Sequence, residues 1–464
     1  MTQRTTRPLS VERLEVRDCP ALTLRLLPGS LNILGTPTGT LTVLETAANT
    51  FQVQDGATTI ATFANVSNIN IRLPRRPTDI DITLNGNDLT GNLLMDLGFG
   101  DTSGPPSTIN IHGGTVRGFV TMLIGSGNET YNLGTALGGG IDALTVRGDV
   151  NAVAKTSAGI GLGNPRDTLI LDQGSTILRD LRTTSVDSVL LVDTTTVGRN
   201  LVINNALEHT IPDINLFGAN IGQDVSVVGP TTGMTVTVLS LAPGVGTIGR
   251  NITVQGLGGN TQVALLNNPT VGGDIRVSTG VGNDFVLLQA DVGGNALVST
   301  GEGDDLILFD TLGLVAGNLS INGGNGANTI FSDGTVSGDL SFLYGNGNNL
   351  ITVNGTVAGN MRFNLGNGAN TVTAGQAPGG VLFWQSGNGT NTLTLGGAAT
   401  AGNSQWNVNA RFGNGDDTLI LDAAASASQI LSGFLDFGGR VLRNTFTQSA
   451  PWVLSPNLTL ANLP

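Results

Sequence analysis

Thr335-Val-Ser-Gly-Asp-Leu-Ser-Phe-Leu-Tyr-Gly-Asn-Gly-Asn-Asn-Leu-Ile-Thr-Val353 is restated by Thr356-Val-Ala-Gly-Asn-Met-Arg-Phe-Asn-Leu-Gly-Asn-Gly-Ala-Asn-Thr-Val-Thr-Ala374, residue for residue at a spacing of 21. Self-similarity at this period marks a chain that stacks one supersecondary unit on the next. Apolar residues within the unit follow period two in short bursts, which is a strand signal. Met361 and Phe363 flank Arg362, and Ile275 and Val277 flank Arg276. An arginine is hardly buried unpaired, so the flanking apolar residues face inward. A Gly-x-Gly-x-(Asn/Asp) corner follows at Gly280, Gly301, Gly324, Gly345, Gly366, Gly387 and Gly413. A second strand then places Ile330, Ile351, Val372, Leu393 and Leu419 inward, and a third short stretch supplies Val292, Val336 and Val357.

Three short strands and three corners per repeat describe one rung of a parallel β-helix. The expected fold is all-β, a single-stranded, right-handed parallel β-helix or β-solenoid of about 21 residues per coil. It would have about fourteen or fifteen coils and a length of roughly 70 Å, from the strand spacing. Residues 1–21 read as a leader-like segment and 22–85 as an N-terminal β cap. Residues 86–424 read as the β-helix and 425–464 as a C-terminal cap, because a solenoid end exposes unpaired backbone and needs covering.

The first polar position of each unit carries Asn92, Asp149, Asp180, Asn200, Asp224, Asn251, Asp274, Asn295, Asn318, Asp339, Asn360 and Asn403, with a degenerate copy at Phe119. From Asp180 to Asn360 no two aspartates are adjacent. Side chains stacked about 4.8 Å apart can bond from coil to coil, with amide donors on both sides of each carboxylate. This column is therefore expected to form a structural ladder: Asn200, Asp224, Asn251, Asp274, Asn295, Asn318, Asp339 and Asn360.

The chain has 34 acidic and 21 basic residues and a formal charge of −13, which argues against binding a phosphate backbone. Its single cysteine, Cys19, permits no intrachain disulfide. No stretch approaches the roughly 20 apolar residues of a membrane span. Arginines at 4, 7, 13, 17 and 25 interrupt every candidate signal-peptide core, so no ordinary secretory signal is visible.

At the N-terminus stands Pro8-Leu-Ser-Val-Glu-Arg-Leu-Glu-Val-Arg-Asp-Cys-Pro-Ala21. It resembles the short leader Glu-x-Leu-Glu-x-Arg-x-x-Pro-(Ala/Ser) of large repeat-containing surface or secreted proteins of planctomycete bacteria, with Glu12, Leu14, Glu15, Arg17, Pro20 and Ala21 matching. That resemblance implies an extracellular or cell-surface location. The alternative is a brief amphipathic helix over 11–17 that caps the first coil.

Two corners, Gly301-Glu-Gly-Asp-Asp and Gly413-Asn-Gly-Asp-Asp, resemble the calcium-binding nonapeptide of RTX proteins. The resemblance implies Asp304, Asp305, Asp416 and Asp417 as calcium ligands. The chain departs from that family by repeating every 21 residues and by carrying Asn328, Asn349, Asn370 and Asn391 at the aspartate position. A neutral amide does not replace lost calcium hydration as a carboxylate does, so the expected reading has no obligatory cofactor.

Catalytic sets are sparse. His112 and His209 are the only histidines. Candidates for a polysaccharide lyase or hydrolase are Asp96 with Asp101, or Asp167, Asp172, Asp187 and Asp193 with Arg166 and Arg182. The leading expectation is a structural, adhesive or spacer solenoid without catalysis, with a polysaccharide or surface protein as its partner. The alternatives are a carbohydrate-binding or polysaccharide-cleaving β-helix and a calcium-responsive module.

Overall fold

The computed structural model describes residues 22–73, 79–98, 107–124, 129–135, 142–154, 167–192, 194–206, 212–239, 246–396, 405–422, 429–438, 444–448 and 452–462. Among them every regular element is a strand, and no helix is present to cross a membrane. The chain coils as a β-solenoid of about 13 turns with about 24 residues per turn. The regular spacing of 21 holds where Leu319, Leu340, Met361 and Leu382 pair in sequence. Inserted loops lengthen other turns, as where Val120 pairs with Val150, and they raise the mean above the 21 expected from the repeat.

Each turn contributes to as many as three parallel sheets. The first is 20-stranded and includes Asn68–Leu73, Leu93–Leu97, Leu319–Gly324, Met361–Leu365 and Ile430–Asp436. The second runs from Leu41–Ala47 through Thr371–Ala374 to Thr445–Gln448. The third has 11 short strands, from Asp88–Leu89 to Thr335–Val336, and a last bridge from Val336 to Val357.

Burial alternates along these strands as the pleat requires. Met361 and Phe363 are buried and Arg362 is exposed; Ile275 and Val277 are buried and Arg276 is exposed. Ile330, Ile351, Val372, Leu393 and Leu419 form one continuous buried column on the second sheet, and Val292, Val336 and Val357 line the third. Because like residues stack on like, the core extends without limit along the axis. Toward the C-terminal end it becomes an aromatic spine. Phe342 stacks on Phe363 at 5.1 Å, followed by Trp384, Phe412 and Phe437.

The N-terminal end is closed by antiparallel pairing. Thr23–Leu27 folds back on Ser30–Leu34, and Leu41–Ala47, Thr50–Asp55 and Thr58–Phe63 form a meander. Parallel stacking already begins here, since Ser30–Leu34 pairs with Asn68–Leu73 and Leu41–Ala47 with Ile80–Thr83. At the other end Trp452 packs on Trp406 at 6.1 Å and donates its indole N–H to the Asp422 carbonyl.

Candidate functional site

The corners decide what each coil can present. At Gly326, Gly347, Gly368 and Gly389 φ lies between +132° and +156°, and a Cβ on Gly368 would sit 2.1 Å from the Gly347 carbonyl oxygen. Only glycine tolerates both the backbone angle and the approach of the neighbouring coil.

Two polar columns follow from this geometry. In the outer one, the backbone N–H of each coil donates to the side-chain oxygen below it. Asn200 donates to Asp180 (3.1 Å), Asp224 to Asn200 (3.3 Å), Asn251 to Asp224 (3.1 Å) and Asp274 to Asn251 (2.8 Å). Asn295, Asn318, Asp339 and Asn360 continue the series at 2.7–2.9 Å. The donor is the main chain, so aspartate serves as well as asparagine; side-chain amides of Asn200, Asn251, Asn295 and Asn360 add a second bond to the aspartate beneath. After Asn360 the next residue in the column is Val381, whose N–H completes the bond; Asn403 lies outside the described residues. Where two aspartates are adjacent, Asp149 and Asp180, Arg182 lies 2.5 Å from Asp180 and 3.8 Å from Asp149. The guanidinium offsets the repulsion between them.

The inner column is buried and runs in the opposite sense, with each donor reaching up to the next coil. Asn328 Nδ2 donates to Asn349, Asn349 to Asn370, Asn370 to Asn391 and Asn391 to Asp417, at 2.8–3.1 Å. Asp284, Asp305 and Asp417 occupy the same column and accept backbone N–H bonds from Thr261, Asp284 and Asn391. Burial pushes the carboxyls of all three up, further than their donors pull them down.

The sequence-derived calcium candidates are thereby divided. Asp305 and Asp417 point into the core, whereas Asp304 is exposed and accepts the Ala327 N–H at 2.7 Å. The inner column places Asn328, Asn349, Asn370 and Asn391 between Asp305 and Asp417, so the four aspartates do not converge. Among the described residues no three His, Cys, Asp or Glu side chains are grouped to hold a metal.

The catalytic candidates are dispersed as well. Asp167 and Asp187 are buried, Asp172 lies at a corner beside Thr135, and Arg182 is on the outer face of the first sheet with Asp180. Asp96 pairs with Arg72 at 3.0 Å. Asp101, Arg166, Asp193, His209 and the leader lie outside the described residues. Sequence reading did not find that Asp167 is stacked beside Glu129 in the neighbouring coil. Burial, then the hydrogen bond and charge of Glu129, push the Asp167 carboxyl up to about 10. His112 is buried between Asp142 (2.8 Å) and Asp81 (3.2 Å); burial alone would lower its pKa, but these two carboxylates raise it.

A concave feature among the described residues faces solvent. A groove of about 430 Å³ on the outer face of the first sheet is lined by Arg362, Asn364, Phe383, Gln385, Asn409 and Arg411, with Ser341 and Leu343 at its edge. Ser341, Arg362, Phe383 and Asn409 are register neighbours in successive coils, as are Leu343, Asn364, Gln385 and Arg411. The Arg362 guanidinium lies 4.4 Å from the centre of the Phe383 ring, and that of Arg411 lies 5.9 Å from Phe434. No family model, curated protein or solved structure matches the chain.

Proposed function

We propose that this chain is a non-catalytic structural, adhesive or spacer solenoid that works at the cell surface or in the extracellular matrix. The observation that carries this reading is the pair of polar columns. They tie coil to coil on the outside and inside of the stack, and they absorb the asparagines and aspartates that a catalytic site would otherwise use. Supporting it, the described members of the lyase-like set point to different sides of the wall, with Asp167 and Asp187 buried and Arg182 on the outer face. The leader-like segment supports the location. Fractionation of cells that produce the tagged full chain is expected to place it in the envelope or medium. Recovery from the cytosol alone, or depolymerisation of a polysaccharide by the purified chain, would refute the reading.

The groove favours a second and compatible reading, carbohydrate binding. Its floor is the rigid outer face of the sheet, and its wall joins an aromatic ring to amides and guanidiniums.

A further inference from the structure

We propose that the groove binds an acidic polysaccharide laid along the solenoid axis, with an anionic group on every second sugar. This rests on the carbohydrate-binding reading and narrows it. In a chain with 34 acidic and 21 basic residues, the groove is lined by two arginines and no carboxylate. Each guanidinium leans on an aromatic ring one coil further along. A cation held near a ring face keeps N–H groups for bidentate contact with a carboxylate or sulfate. Two acids stand by these arginines, outside the lining. Asp339 is close enough to Arg362 for its carboxyl to be held down, chiefly by the Asn360 N–H and in part by that charge. Asp436 is in register beside Arg411 and accepts bonds from Gly438 and Asn462.

The polar side chains around the cations point to the repeat of the ligand. The side chains of Asn364, Gln385 and Asn409 make no hydrogen bond among the described residues, although most asparagine side chains nearby are engaged from coil to coil. Arg362 and Arg411 stand two coils apart, roughly 10 Å along the axis from the strand spacing. An extended polysaccharide advances about one sugar per coil. Three successive coils present Arg362 with Asn364, then Phe383 with Gln385, then Asn409 with Arg411, a series that matches an acidic sugar, a neutral hydroxylated sugar and another acidic sugar. An acidic peptide laid along this face would find no free backbone edge to pair with, because the main chain of these strands is already bonded within its sheet.

Affinity gel electrophoresis of the full chain with hyaluronate, and with its carboxyl-reduced neutral form, tests this. Hyaluronate is expected to retard the protein, the reduced form far less, and added salt to weaken the effect. The double variant Arg362→Gln/Arg411→Gln should lose at least about 10-fold in apparent affinity, as expected for two charge-assisted bonds. Arg276→Gln, on the same face outside the groove, should change it by less than about 2-fold and controls for net charge. A melting curve for each variant verifies that the stack is intact. Equal retardation by the two polysaccharides would overturn the acidic ligand while leaving carbohydrate binding standing; retardation by neither would overturn both. Undiminished binding by the double variant would move the site elsewhere. A dimer that the arginine substitutions dissociate would show that the occupant is a second copy of the chain.

Discussion

Asn370 illustrates how little freedom one side chain has in this wall. It accepts from Asn349 Nδ2 and donates to Asn391 Oδ1, both at 2.8 Å, and its amide also reaches the Gly366 and Gly368 carbonyls. An aspartate there would keep the acceptor and lose every donor, facing a row of oxygens in a buried position. Asn370→Asp is expected to cost roughly 2 kcal/mol, read as a fall in urea midpoint. The same fall with and without calcium would separate the ladder from a metal-held corner. Asp167 gives the reverse case. Its folded pKa of about 10 lies above the ordinary value of about 3.9 for an aspartate, so the folded chain holds a proton that the unfolded chain releases. The contribution of this group to stability therefore falls as pH rises through the interval between those values. Asp167→Asn supplies the neutral shape without proton uptake. It should raise the melting temperature at pH 8, leave it nearly unchanged at pH 4, and so flatten the pH dependence.

At the scale of a strand, parity and corner chemistry divide the labour. Phe363→Ala opens the aromatic spine between Phe342 and Trp384 and is expected to cost about 3–5 kcal/mol, whereas Arg362→Ser loses the exposed contact with Phe383 and a screened attraction to Asp339, about 0.5–1 kcal/mol. Comparable losses for both would contradict the alternation. Gly368→Ala should exceed the roughly 1 kcal/mol of an ordinary glycine exchange, because the added methyl meets the Gly347 carbonyl; a melting temperature within a degree of the parent would refute that. Strand identity was legible because Ile330, Ile351 and Val372 repeat at one spacing and arginines fix which side is out. The sense of the hydrogen bonds was not, since a column of Asn and Asp is compatible with either side-chain or backbone donors. The groove was also hidden. Outward residues carry no packing constraint, so Arg362, Phe383, Asn409 and Arg411 follow no repeat, and the turn from Leu382 to Val408 is longer than its neighbours.

For the molecule as a whole, equivalence of coils is the testable property. Deleting residues 335–355 would bring Asn360 against Asn318, Met361 against Leu319 and Asn370 against Asn328, each pairing conserved in kind. A soluble, folded protein shorter by about 4.8 Å is expected from small-angle scattering, and aggregation would argue against interchangeable ladder edges. The direction of those ladders also sets how the molecule would respond to tension. The bonds between coils lie along the axis, and the first and last described strands, Thr23–Leu27 and Thr459–Ala461, lie at opposite ends of the stack, so an axial pull between them loads one rung at a time. Each released turn would surrender about 24 residues, on the order of 80 Å of extended chain, for every 5 Å of rod consumed. Such a solenoid would yield in small steps and lengthen many-fold before parting, a tether that absorbs strain by uncoiling from its ends.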